Sequence, residues 1–273
     1  MKKMIFTDID GTIRFPDGTV PSSTVKAIQL LQEAGCDVLI CTGRPECEVP
    51  ERILDIGFDG MITACGARVR YHSKVVYDRE IPREPFEELM TYMTSHDIVA
   101  YVQQAEENAV LASQFDAYMA IDTRMHDRLP AGSERLCPVP APAESLADIA
   151  HPEKMAFYGN TTPVKKFRAE MPEGFDVVPL GIPSPEKYTG EIMYHTLTKG
   201  NAIRALLEET GTSVEDTIAV GDSANDIPML TAVGFSIVVG NGTPAAKAEA
   251  DLVTDDMAED GFYRAFVRLG LLP

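Results

Sequence analysis

An α/β fold with a mainly parallel sheet, interrupted by an inserted α+β domain, is predicted by three observations. Near the start of the chain, short apolar runs alternate with helical patterns at the spacing that parallel strands require. The same rhythm returns in the last third. Between the two, 12 of the 19 prolines fall from Pro82 to Pro185, and a residue without an N–H disfavours long central strands. The 273-residue chain is therefore divided into a core of residues 1–81 and 190–273 and an inserted domain of residues 82–189.

The elements follow in order. Met4-Ile5-Phe6-Thr7 is an apolar run of strand length. Residues 23–34 place Ala27, Ile28, Leu30 and Leu31 on one side of a helix that stops at Gly35. Asp37-Val38-Leu39-Ile40-Cys41 closes a β-α-β unit, whose crossover is right-handed, and Gly60-Met61-Ile62-Thr63 adds a third strand. In the insertion, residues 86–96 read as a helix and residues 98–103 and 154–158 as strands. Val164–Glu170 follows as a helix and Phe175–Pro179 as a further strand. Tyr92, Met93, Tyr118 and Met119 fit helical spacing and are assigned to that domain's core. Late in the chain, Lys199–Thr210 carries Ile203, Leu206 and Leu207 and ends at Gly211. Thr217–Gly221 and residues 235–239 read as buried strands, residues 251–254 as a short edge strand, and residues 258–269 as an amphipathic helix covering the sheet. An insertion of this kind lies over one edge of a parallel sheet, where a cleft can hold a ligand.

Composition narrows the function. Lys and Arg number 24 against 42 Asp and Glu, a formal charge of −18, with no segregated basic run, so nucleic acid is excluded as a partner. No stretch approaches the roughly 18 apolar residues of a membrane-spanning helix, and the N-terminal apolar run meets Asp8 too soon for a secretory signal. The cysteines, Cys36, Cys41, Cys47, Cys65 and Cys137, are odd in number and form no C-x-x-C pair. That argues against a disulfide framework or a zinc knuckle and for a reducing cytoplasm.

The chemistry gathers at strand ends. Asp8-Ile9-Asp10-Gly11-Thr12 follows the first strand, at the carboxyl edge where α/β sheets bind ligands. If strand geometry persists, both carboxylates point the same way and need a cation or a shared proton. Thr42-Gly43-Arg44 ends the second strand with a hydroxyl and a backbone N–H suited to anionic oxygen. Asp222-Ser223-Ala224-Asn225-Asp226 ends a third, and one helix N-cap does not explain so many oxygens. Lys199 opens a helix, where the dipole disfavours a cation unless acids or a bound anion compensate. Together these groups propose one site: Asp8, Asp10 and Asp222 as hard ligands for Mg²⁺, and Thr42, Gly43 and Lys199 facing a phosphate. Several carboxylates repel a phosphate dianion unless a divalent ion and a lysine intervene.

At these residues the chain resembles the haloacid dehalogenase (HAD) superfamily, and within it the Cof-like phosphatases with a class IIB cap. Asp8-x-Asp10-Gly11-Thr12 is similar to that family's first motif, Thr42-Gly43-Arg44-Pro45 to its second and Lys199-Gly200 to its third. Gly221-Asp222-x-x-Asn225-Asp226-x-x-Met229 is similar to its fourth. Weaker echoes are Gly66-Ala67 before a hairpin, Glu191-Ile192, and Glu259-Asp260-Gly261. The resemblance implies a Rossmann-like core with a C2B cap, and attack by Asp8 on phosphorus to give an aspartyl-phosphate. It implies that Asp10 protonates the leaving oxygen and then activates water, and the residues agree, since a second carboxyl kept protonated by its neighbour's charge supplies a general acid. Asp8, the backbone carbonyl of Asp10 and Asp222 would hold Mg²⁺, Asn225 would touch phosphate or substrate, and Asp226 would support the metal or orient Lys199. Two positions depart from the family pattern: Cys65 stands where Asn is frequent, and His195-Thr196-Leu197 where a Pro-x-Gly stretch is frequent. His195 is read as structural or as a substrate contact.

The expectation is a cytoplasmic, Mg²⁺-dependent phosphohydrolase of small phosphorylated metabolites, sugar phosphates first. The alternatives are a sugar phosphomutase of the same superfamily and a non-catalytic sugar-phosphate-binding regulator. The sequence favours no oligomeric state.

Overall fold

The computed structural model describes residues 3–127, 137–161, 163–179 and 188–273. In chain order it begins with β1 (Met4–Thr7), α1 (Ser22–Glu33), β2 (Asp37–Cys41), α2 (Glu51–Leu54) and β3 (Gly60–Thr63). A hairpin of β4 (Arg68–Tyr71) and β5 (Lys74–Asp78) leads to α3 (Arg83–Ser95), β6 (Val99–Gln103), β7 (Ala109–Leu111), α4 (Ala112–His126) and β8 (Ala141–Ala143). Then come β9 (Lys154–Asn160), α5 (Val164–Glu170), β10 (Phe175–Pro179), β11 (Tyr188–Tyr194), α6 (Lys199–Thr210) and β12 (Thr217–Gly221). The chain finishes with α7 (Ile227–Leu230), β13 (Phe235–Val238), α8 (Pro244–Ala248), β14 (Leu252–Val253) and α9 (Gly261–Arg268). No helix among the described residues is long and apolar enough to cross a membrane.

Two compact units emerge. The first holds residues 1–44, 49–78 and 198–273. Its eight-stranded sheet runs in the order β14-β13-β12-β1-β2-β3-β4-β5, parallel from β14 to β3 and antiparallel through the β4–β5 hairpin. The central strands read as unbroken apolar runs because both faces are covered. Ile5, Val38, Val220 and Ile237 pack under α1 and α9 on Ile28, Leu31, Phe262 and Phe266. Met4, Phe6, Leu39 and Ala219 face the other way, onto Ile203 and Leu206 of α6 and Met229 of α7. Because β2, β1 and β12 are parallel neighbours, their carboxyl ends lie side by side.

The second unit holds residues 45–48 and 79–197 around a six-stranded sheet, β10-β11-β9-β6-β7-β8, antiparallel except between β7 and β8. One face carries Val99, Tyr101, Ala156 and Tyr158 against Tyr118 of α4, with Met119 packed at the margin. Phe157, on alternate register, meets Phe167 of α5 at a ring separation of 4.9 Å. Met93 and Tyr118 are buried as expected, whereas Tyr92 stays half-exposed and stacks on His96.

The structure corrects the boundary placed at residue 190. Residues 188–194 form β11, which lies between β9 and β10 in the second sheet, and the first unit resumes only at Thr198. A strand is assigned by its hydrogen-bonding partners, which apolar periodicity does not encode. Residues 45–48 likewise belong to the second unit. The Cys47 N–H donates to the Ala105 carbonyl at 2.9 Å, and the Glu48 carboxylate accepts from Gln103 and Asn108.

Candidate active site

Asp8 continues the line of β1. Its N–H donates to the Val220 carbonyl at 2.9 Å, so the carboxylate leaves the sheet beside the end of β12. Across that end, Asp226 is clamped by its own turn, accepting at Oδ2 from the backbone N–H groups of Asp222 at 2.9 Å and Ser223 at 3.0 Å. Its other oxygen, Oδ1, receives Lys199 Nζ at 2.6 Å. The same ammonium donates to Asp8 Oδ1, also at 2.6 Å, and none of the three side chains is more than 7% exposed. Lys199 is the first residue of α6 after the Thr198 N-cap, whose hydroxyl accepts from the Asn201 N–H. The two carboxylates supply the compensation that a cation at a helix N-terminus needs.

Asp222 completes the group. Thr12 Oγ1 donates to Asp222 Oδ1 at 3.2 Å, and Asp8, Asp222 and Asp226 each offer an oxygen within 4.8 Å of the others. Burial pushes the Asp8 carboxyl well above its usual range; the Lys199 charge opposes this, and Asp226 and Asp222 add to it. Asp222 is pushed up to about 6, by burial first and by Asp226 second. Lys199 is driven the other way by burial, yet its ammonium is held firmly charged by Asp226 and Asp8. Three carboxylates against one ammonium leave the site negative. An all-oxygen donor set of that charge fits a hard divalent cation. Both Asp226 oxygens are engaged, so Asp8 and Asp222 are the carboxylates placed to hold one.

Asp10 does not join them. Strand geometry ends at Thr7, and Gly11 turns the chain at a φ of +86°, so the Asp-x-Asp alternation fails. The Asp10 carboxylate instead takes a two-pronged contact from Arg44, Nε at 2.6 Å and Nη2 at 3.1 Å, and a third bond from Arg14 Nη1 at 2.8 Å. Burial alone would raise its pKa, but the two guanidinium groups outweigh burial and hold it below the usual value. The expectation that a neighbouring negative charge keeps Asp10 protonated is thereby reversed.

The second strand's loop is narrower in its offer than expected. The Thr42 N–H is spent on the Ile62 carbonyl at 2.8 Å, and its hydroxyl oxygen accepts from the Arg44 N–H at 3.2 Å, leaving the hydroxyl proton to give. Gly43 beside it is half-buried. Asn225 Oδ1 accepts from Ser223 Oγ at 2.8 Å. His195 lies in the second unit, where both its N–H and its ring Nδ1 meet the Gly174 carbonyl, at 2.8 and 2.9 Å.

A family model for haloacid dehalogenase-like hydrolases matches residues 5–266. The chain belongs to that family. This haloacid dehalogenase-like hydrolase is 28% identical over 272 residues to a Bacillus subtilis (strain 168) protein, YkrA, named provisionally as a phosphatase; the match covers 99% of this chain and 98% of that one. It is 25% identical over 266 residues to the pyridoxal phosphate phosphatase YbhA of Escherichia coli (strain K12), covering 94% and 95%. Among solved structures, a HAD subclass IIB sugar phosphatase superposes with a TM-score of 0.82 at 23% identity, over 99% of this chain and all of that one. The hydrolase thus stands among the phosphatases of its family and has their subclass IIB fold.

Three residues of the hydrolase's site escaped the sequence reading. Arg14 was unremarked because an arginine seven residues beyond a strand is ordinary until the Gly11 turn brings it back to Asp10. Arg44 was quoted in its motif without a partner. Asn241 bridges distant loops, its Nδ2 donating to the Gly11 carbonyl at 2.6 Å while its Oδ1 accepts from the Met257 N–H at 3.0 Å. The only signal was its place just past a buried strand end, at the same sheet edge.

Proposed function

We propose that this hydrolase is a Mg²⁺-dependent phosphatase of small phosphorylated metabolites, sugar phosphates first, working through a phosphorylated Asp8. The observation that carries the reading is the Lys199 ammonium bonded at 2.6 Å to both Asp8 and Asp226, beside Asp222, at the carboxyl edge of a parallel sheet. Asp8 would attack phosphorus in line, forming a carboxyl–phosphate bond as the ester oxygen leaves with a proton. Water then attacks phosphorus, releasing inorganic phosphate and restoring Asp8. A bound Mg²⁺, held by Asp8, Asp222 and the Asp10 carbonyl, would neutralise charge on the phosphate oxygens.

Lys199 opposes the rise that burial imposes on the Asp8 carboxyl and offers positive charge to the equatorial oxygens. Thr42, Gly43 and Asn225 are assigned to the remaining phosphate contacts, and Asp226 to holding Lys199. Asp10, kept as a carboxylate by Arg44 and Arg14, is ready to take the proton of the hydrolytic water, and in protonated form serves the leaving oxygen. The choice of sugar phosphates follows the named substrate of the subclass IIB neighbour, and the wider class follows the pyridoxal phosphate relative.

Phosphate release from p-nitrophenyl phosphate, measured with Mg²⁺, with EDTA and with Asp8→Asn, tests the chemistry. Turnover that needs both the metal and Asp8 is expected, and a panel of sugar, nucleotide and cofactor phosphates then ranks the substrates. Asp8→Asn retaining the wild-type rate removes Asp8 from its role. Product isomerisation that depends on a sugar bisphosphate, with little free phosphate, replaces the phosphatase with a mutase.

A further inference from the structure

Between β3 and β4 the chain passes through three residues of unusual backbone. Ala64 and Cys65 have φ values of +47° and +57°, in the left-handed region that residues bearing a Cβ enter at a cost, and Gly66 follows at +110°. Such a turn persists only where its surroundings over-determine it. Here they do so from two sides.

On one side the turn grips the loop after β2. The Ala64 N–H donates to the Arg44 carbonyl at 2.6 Å and the Cys65 N–H to the Thr42 carbonyl at 3.1 Å. On the other side Gly66 lies flat against the peptide that opens α6. A Cβ on Gly66 would stand 2.2 Å from the Thr198 carbonyl oxygen and 3.0 Å from the Lys199 nitrogen, backbone atoms that cannot swing aside. The opposite flank is equally close, since a Cβ on Gly200 would stand 2.2 Å from the Pro228 carbonyl oxygen of α7. The Lys199 peptide is wedged between the 64–66 turn and the helix that follows Asp226.

We propose that Ala64, Cys65 and Gly66 form a positioning element for the reaction. The turn fixes the spacing between the Thr42 hydroxyl and the Lys199 ammonium, the two groups across which the transferred phosphoryl lies. This rests on the function proposed above. A lysine side chain has four flexible torsions, so its contacts with two carboxylates at 2.6 Å are set by where its backbone is held. Gly66 is the residue whose lack of a side chain permits that backbone position while the neighbouring N–H groups hold the phosphate loop.

The test compares Gly66→Ala with Gly211→Ala. Gly211 also has a left-handed φ, +67°, but nothing lies within 4 Å of a Cβ there, so it carries the backbone penalty without the close approach. Both variants should lose thermal stability. Only Gly66→Ala should lose kcat for p-nitrophenyl phosphate, by about 100-fold for a displacement near 1 Å, and weaken competitive inhibition by inorganic phosphate about tenfold. Gly66→Ala retaining the wild-type kcat and phosphate inhibition constant per folded molecule overturns the proposal. Should Gly66→Ala not fold, Cys65→Gly decides. Glycine relieves the strain at that position and frees the turn at the cost of a buried thiol, so per folded molecule kcat should fall and phosphate inhibition weaken. Unchanged kinetics in Cys65→Gly would overturn the proposal as well. A wild-type enzyme without turnover sinks the functional reading; turnover that Gly66→Ala leaves intact sinks the positioning role alone.

Discussion

The Lys199 ammonium and the Asp226 carboxylate meet at 2.6 Å with neither side chain reaching solvent. Removing one member of a buried ion pair leaves the other uncompensated, at a cost of about 3–5 kcal/mol. Lys199→Met abandons two carboxylates at once and should lower the melting temperature sharply, with Mg²⁺ restoring part of the loss. Adding Asp226→Asn removes one of the stranded charges, so the double variant should be more stable than Lys199→Met alone. Thermal unfolding of the four proteins in the cycle measures the coupling, and strictly additive effects would show that the pair is not energetically linked.

The two raised carboxyls give a pH dependence with a definite sign. Asp222 rises from 3.8 to about 6 on folding, and Asp8 rises too, so between those values the metal-free folded protein binds more protons than the unfolded chain. Stability of the metal-free form therefore falls as pH rises through that window. A divalent ion competes with the same protons, so its stabilising effect grows in the same direction. At a fixed Mg²⁺ concentration the gain in melting temperature should be larger at about pH 7.5 than at about pH 5, and Asp222→Asn should flatten the difference. An equal gain at both pH values in the wild-type protein would place the ion elsewhere.

Asp10 is held as a carboxylate by Arg44 and Arg14, which suits a base better than an acid. p-Nitrophenolate leaves without needing a proton, so the first displacement on that substrate should survive Asp10→Asn while hydrolysis of the phosphorylated enzyme stalls. Rapid mixing should show a burst of nitrophenolate close to one equivalent, then a slow phase, with phosphate retained on the protein in mass spectrometry. A uniformly slow reaction without a burst would assign Asp10 mainly to the first step.

What the sequence disclosed, and what it withheld, divides along physical lines. β1, β2 and β12 were legible because strands covered on both faces become continuous apolar runs, and the residues just beyond them, Asp8, Thr42 and Asp222, necessarily share an edge. Lys199 was legible because a cation at a helix start contradicts the dipole and demands a partner. The Asp10–Arg14 contact was not, since it depends on a turn whose handedness only Gly11 hints at. Tyr118 and Met119 hinted at α4, but its extent was not legible because polar residues occupy positions on its inner face. Gln114 is buried there, accepting from the Ala100 N–H and donating to the Ile98 carbonyl, and so breaks the apolar period that marks a helix.

In the second unit, Glu48 is the buried acceptor on which several donors converge. Its Oε1 receives Asn108 Nδ2 at 2.9 Å, Gln103 Nε2 at 3.0 Å and the Tyr101 hydroxyl at 3.3 Å. These bonds tie residues 45–48 to β6 and the turn into β7, and the Tyr101 hydroxyl, itself accepting from Asn108 at 2.8 Å, closes the network. Glu48→Leu fills similar space but leaves amide donors buried without an acceptor, each at about 1–3 kcal/mol. Asn108→Leu removes one donor and the acceptor of the Gln104 N–H but spares the carboxylate its other partners, so it should cost less. In urea, Glu48→Leu should shift the unfolding midpoint downward by the larger amount with the slope unchanged, the pattern of lost native-state bonds rather than an altered unfolded state. A midpoint indistinguishable from wild type would show that other groups satisfy those donors once the carboxylate is gone.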